Sequence, residues 1–95
     1  IGSSAEFNAL VASPSLTVVD FHAQWCGPCK VIAPRFQALA AKGLAHAQFA
    51  KVDVDACADI AQAHSVTAMP TFVFFRHGAE IDRVVGADIG RVERL

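Results

Sequence analysis

Residues 24–30 read QWCGPCK: two cysteines three positions apart, with a glycine and a proline between them. On a helix, an offset of three puts both side chains on one face, with Cβ atoms ~5–6 Å apart. Cysteines can be bridged when their Cα atoms are about 4.4–6.8 Å apart. Cys26 and Cys29 can therefore close a disulfide or open to a dithiol without large backbone motion. The first turn of a helix also has unpaired N–H groups and a dipole that favour an anion. A free thiol with pKa about 8.5 is only ~3% thiolate at neutral pH, and helix N-termini lower that pKa. Cys26, at the helix entrance beside Trp25, is expected to be the exposed, reactive thiol, with Cys29 a turn deeper. Pro28 is tolerated in a first turn, where its missing N–H has no partner, and Gly27 has no side chain to block an incoming sulfur.

Outward from this motif the chain alternates strands and helices. Upstream, "LTVVDF" (16–21) is β-branched and apolar, the pattern of a strand covered on both faces, interrupted by Asp20. Before it, "SSAEFNALVAS" predicts a short helix with Ser3 and Glu6 at capping-box spacing, Phe7, Leu10 and Val11 on one face, and Pro14 beyond its end. Downstream, a helix from the cysteines to about Ala41 buries Ile32, Phe36 and Leu39; Pro34 should bend it and Gly43 stop it. "AQFAKVDVD" (47–55) predicts a second strand, with Asp55 as a cap for the helix in "ACADIAQAH". "TFVFF" (71–75) and "EIDRVV" (80–85) flank the turn "RHGA" and predict an antiparallel hairpin. After Gly86, a last helix begins with Asp88 as cap. The order is αβαβαββα, with parallel β-α-β crossovers first and a hairpin at the end. It predicts one α/β domain over residues 1–95, a mixed four-stranded central sheet with helices on both faces.

Composition narrows the function. The chain has 95 residues, 54% hydrophobic and 18% charged, with a formal charge of −1, so a packed domain is expected. No basic stripe or aromatic-basic interleaving points to nucleic acid, and no apolar run nears the ~18 residues of a membrane span. The first residue is isoleucine and the amino end does not read as a signal peptide, so a trimmed or excised chain is expected, with both ends truncated. Three cysteines are too few for a secreted disulfide framework, which favours a cytoplasmic or nuclear setting with reduced thiols.

Two cysteines could also be half of a zinc site. Zinc needs four ligands, and neither a second C-x-x-C nor an H-x₃₋₅-H pair follows. His22 could supply a third ligand, with the fourth unassigned, and a redox pair is the better reading. Cys57 reads as a small buried residue, with regulatory oxidation or a Cys57-linked dimer as the other possibility. His46, His64 and His77 read as ordinary surface or turn residues.

Taken together, "VVDF", "WCGPCK", Pro34, "KVDVD", "MPT", the hairpin glycine Gly78 and "VGA" make the chain resemble the thioredoxin family from about Phe7 to Leu95. The resemblance implies the thioredoxin fold and protein-disulfide reductase activity. It implies no cofactor held by the domain, with electrons arriving from NADPH through a flavin-dependent thioredoxin reductase. Disulfide-containing proteins would be the substrates and the domain would be a monomer. By position, Cys26 would be the nucleophile and Cys29 the resolving thiol. Asp20 would be the buried carboxylate beneath them, with Lys51 beside it on the next strand. Met69-Pro70 would carry a cis peptide facing the cysteines. Trp25, Gly27, Pro28, Met69, Pro70, Thr71, Gly86 and Ala87 would form the surface on which a substrate chain lies.

An aspartate in a strand covered on both faces is costly unless it has work to do, and Asp20 would take the proton of Cys29, directly or through a water. Burial should raise its pKa, with Lys51 opposing, so that removing the carboxylate stabilises the fold at pH 7 while slowing turnover. His22 departs from the family, where this position is often aromatic or a small hydroxyl. The tail "FFRHGAEIDRVVGAD" also resembles the amino-terminal domain of a larger cytosolic thioredoxin-like protein, which keeps open a second function: an adaptor module whose redox activity is secondary.

Overall fold

Two alternating patterns of apolar residues build a sheet with a core on each side. The computed structural model describes residues 2–42 and 47–94. In order the elements are α1 (Ser4–Val11), β1 (Leu16–His22), α2 (Gly27–Ala41), β2 (Ala47–Asp53), α3 (Ala58–Ala63), β3 (Thr71–Arg76), β4 (Ala79–Val85) and α4 (Ile89–Arg94). Successive strand residues point to opposite faces. Val19, Phe21, Val73 and Phe75 accordingly meet Phe7 and Val11 of α1 and Ile60 of α3. Val18, Phe72, Phe74 and Val84 meet Ile32, Phe36 and Leu39 of α2 and Val92 of α4. The helices lie on both faces, as expected.

The sheet order is β2-β1-β3-β4. β1 and β2 are parallel, with Asp20 opposite Lys51 and His22 opposite Asp53. β3 is antiparallel to both β1 and β4. Only the first crossover, through α2, therefore joins parallel strands. The second, through α3, carries the chain past β1 into an antiparallel strand, which corrects the expected pair of parallel units.

Local chemistry sets the boundaries. The Ser3 hydroxyl accepts the Glu6 amide at 3.2 Å, and Asp88 accepts the Arg91 amide at 3.1 Å, so two of the three expected caps are present. Asp55 does not cap α3. Asp53 instead takes the amides of Asp55 and Ala56 at 2.9 and 3.3 Å, ending β2 two residues early, and the N-cap position of α3 falls to Cys57, whose side chain does not cap the helix. His77 and Gly78 turn the hairpin at φ 53° and 80°, the doubly positive pattern of a tight type I′ connection. Leu10 is half-buried, whereas Phe7 and Val11 are fully covered. Gly43 and His46 lie outside the described residues.

His64 is not the ordinary surface or turn residue expected: it is half-buried among aromatic rings. Its ring sits 5.1 Å from Phe7, 5.2 Å from Phe75 and 6.4 Å from Phe21. Burial lowers its pKa, Glu80 opposes that shift, and Arg83 adds to it. A histidine at a helix end is commonplace, and only the long-range packing of α1 against β3 brings these rings to it.

Candidate active site

The two thiols meet where β1 hands the chain to α2. Cys26 is the N-cap of α2, and its Sγ accepts the Cys29 amide at 3.1 Å. Its own amide is held by the Ala23 carbonyl at 3.2 Å. Gly27 and Pro28 form the first turn, with Pro28 where no hydrogen bond is lost. The Cys26 and Cys29 Cα atoms are 5.3 Å apart and the sulfurs are joined in a disulfide. Both cysteines are only 4% exposed, so Cys26 is not the open residue expected from its place at the helix entrance. Bonded to Cys29, it packs with Ala23, Val54 and Met69.

The surroundings combine exposed and buried residues. Gly27 and Pro28 are exposed, and a side chain placed on Gly27 would meet nothing within 4 Å. Trp25 is 66% exposed, and its indole N–H donates to Asp55 at 2.8 Å, which fixes the ring beside the disulfide. Met69 packs against the cysteines and precedes a cis peptide to Pro70. The Pro70 carbonyl accepts the Gly86 amide at 2.8 Å, bringing the Gly86-Ala87 turn to the same rim. Gly86 has φ 99°, a conformation that favours glycine. Pro70 and Thr71 differ from the expected rim residues: both are buried, and the Thr71 hydroxyl donates to the Ala68 carbonyl at 2.5 Å. Thr71 shapes the loop from within.

Asp20 is 1% exposed. Alternation places it on the α2 face of β1, one pleat nearer the cysteines than Val18. Its Oδ1 has no hydrogen-bond partner among the described residues. Burial raises its pKa from 3.8 to about 6, against the opposing pull of Lys51. His22 is half-buried; burial lowers its pKa, Lys51 adds to the shift and Asp53 opposes it. Cys57 takes no part in the disulfide and is buried in the core of α1 and α3, apart from the cysteine pair. Among the described residues, no cluster of three or more His, Cys, Asp or Glu could hold a metal ion, and no helix is long and apolar enough to cross a membrane. A groove of about 650 Å³, lined by residues such as Glu6, Leu10, Gln48 and Phe49, lies between α1 and β2, apart from these groups.

Comparison with known proteins gives one answer. The family model for thioredoxin matches residues 1–92. Thioredoxin-1 of Saccharomyces cerevisiae is 42% identical over 92 residues, covering 97% of this chain and 88% of the relative. The mitochondrial Thioredoxin-2 of Schizosaccharomyces pombe is 42% identical over 95 residues, covering 100% of this chain and 71% of the relative. The crystal structure of Malassezia sympodialis thioredoxin superposes with a TM-score of 0.94 at 43% identity, covering 99% of this chain and 85% of that one.

Proposed function

This chain belongs to the thioredoxin family and is a protein-disulfide reductase working by thiol–disulfide exchange, and from that premise we propose how its residues divide the labour. In the dithiol form, the Cys26 thiolate attacks one sulfur of a substrate disulfide. The substrate S–S bond breaks, a mixed disulfide forms, and the departing sulfur takes up a proton. Cys29 then attacks the Cys26 sulfur and releases the second substrate thiol. Two electrons pass to the substrate, and the protein is left as the Cys26–Cys29 disulfide. The observation that carries this assignment is the Cys29 amide aimed at Cys26 Sγ from 3.1 Å, at the positive end of α2. A hydrogen bond to a thiolate favours the charged form, as does the dipole.

Asp20 takes the proton of Cys29 in the second step, directly or through a water. Lys51, opposite Asp20 on β2, limits how far its pKa rises. An extended substrate chain lies across Trp25, Gly27 and Pro28 on one side and Met69, Pro70, Gly86 and Ala87 on the other, adding to the backbone at Met69 as an extra strand would. The domain holds no cofactor of its own and is re-reduced by a flavin-dependent thioredoxin reductase using NADPH, so it is an electron carrier in cell redox homeostasis. It acts as a monomer in the cytoplasm, where buried Cys57 stays reduced.

Insulin reduction with thioredoxin reductase and NADPH tests the proposal. Turnover should vanish in Cys26→Ser, while Cys29→Ser should accumulate a covalent complex with substrate through Cys26. Equal trapping by Cys26→Ser would refute the assignment. A silent assay with tight, noncovalent partner capture would favour the adaptor function instead.

A further inference from the structure

The loop that carries Met69 to the disulfide is tied at one end to β4 and at the other to Gly86, the residue that follows β4. At its far end the Gly86 amide donates to the Pro70 carbonyl at 2.8 Å. At its start, Arg83 reaches over from β4 to the C-terminal end of α3. Nη2 donates to the His64 carbonyl at 2.6 Å and Nη1 to the Ser65 carbonyl at 3.4 Å. A helix C-terminus leaves carbonyls without partners and favours a cation, so the guanidinium is well matched to it.

Glu80 holds Arg83 from the other side, with Nε to Oε2 at 3.0 Å and Nη2 to Oε1 at 2.8 Å. This fork is possible only because β4 is irregular. Residues three apart on a regular strand point to opposite faces. Here Phe74 faces Asp82 and Phe75 faces Glu80, which leaves Ile81 as one extra residue. That bulge resets the alternation and brings Glu80 and Arg83 to one face. The carbonyls that Arg83 takes flank a left-handed turn, with Ser65 at φ 54°.

We propose that Arg83, oriented by Glu80, is a positioning residue for disulfide exchange: it fixes the start of the 64–71 loop so that Met69 and Pro70 present a formed edge to an extended protein substrate. The inference rests on the substrate path proposed above. A small disulfide needs only the sulfur of Cys26 and is indifferent to that edge. A protein chain needs both.

The test compares insulin with dithiobis(nitrobenzoate) as substrates for the full chain. Arg83→Met should raise KM for insulin about three- to tenfold, leave kcat within about twofold, and leave the small disulfide unaffected. Arg83→Lys keeps a cation without the fork and should recover part of the loss. Glu80→Gln should give a smaller rise in the same direction. KM values that do not move, or that move equally for both substrates, would overturn the proposal. Should Arg83→Met fail to fold, Glu80→Gln decides on the same criterion. Should the parent protein fail to reduce insulin, the function proposal falls, and amide hydrogen exchange at residues 66–69 still judges the latch. Faster exchange in Glu80→Gln or Arg83→Met supports it, and identical exchange overturns it.

Discussion

A buried carboxylate with one oxygen unpartnered among the described residues is the most informative single residue in this protein. The pKa of Asp20 rises from 3.8 to about 6 because burial penalises its charge more than Lys51 rewards it. An acid whose pKa is higher folded than unfolded binds its proton more tightly in the native state. Its favourable contribution is complete below about pH 4 and is lost as the pH rises through about 6. Asp20→Asn, which cannot ionise, should therefore be more stable than the parent at pH 7, by up to about 3 kcal/mol, with the gap closing below about pH 4. Denaturation of the oxidised proteins across that range measures it, and insulin turnover should fall in the same variant. A variant that is less stable at pH 7 and turns over normally would remove Asp20 from the mechanism.

At the scale of the element, the end of α3 shows where a local rule is broken and compensated. The Val66 amide bonds the Ala61 carbonyl at 2.9 Å and the Ser65 amide bonds Gln62 at 3.1 Å, the bond pair of a Schellman ending. Glycine is the usual residue at its left-handed position, yet serine stands there at φ 54°. Ser65→Gly should raise thermal stability by about 0.5–1 kcal/mol, and a loss instead would mean that the Ser65 side chain matters more than its backbone. Local patterns foretold most of the elements: apolar strands, the cysteine-capped helix and the hairpin glycine were all legible. What escaped was long-range or irregular. The bulge at Ile81 leaves no mark in "EIDRVV", and the packing of His64 against Phe7 and edge-on to Phe75 requires α1 and β3 to be neighbours already. Asp55 looked like a cap because it precedes a helix, but Asp53 took the turn and Asp55 was left for Trp25. The burial of Cys26 was missed because spacing fixes the geometry of a pair and not its cover.

Across the whole molecule, the three cysteines fall into two environments, which predicts two chemistries. Cys26 and Cys29 are held at the end of the sheet against Ala23 and Met69, whereas Cys57 lies within the core formed by α1, α3 and the sheet. Thiol reactivity follows exposure as well as charge. In the reduced protein Cys57 should resist alkylation until the fold opens, and its reaction should accelerate with denaturant in step with unfolding. Rapid modification of Cys57 in the native state would contradict its burial, and a disulfide-linked dimer through it would contradict the proposed monomer. The pair is different because α2 starts at it: one sulfur caps a helix of 15 residues whose buried stripe anchors it to the sheet. The central claim is that this capping position holds Cys26 as a thiolate near neutrality. Alkylation of the reduced protein by iodoacetamide from acid to alkaline pH, with the adduct located on Cys26, tests it most directly. The rate should reach its half-maximum well below the value of about 8.5 for a free cysteine, and a midpoint at the free-cysteine value would contradict the account.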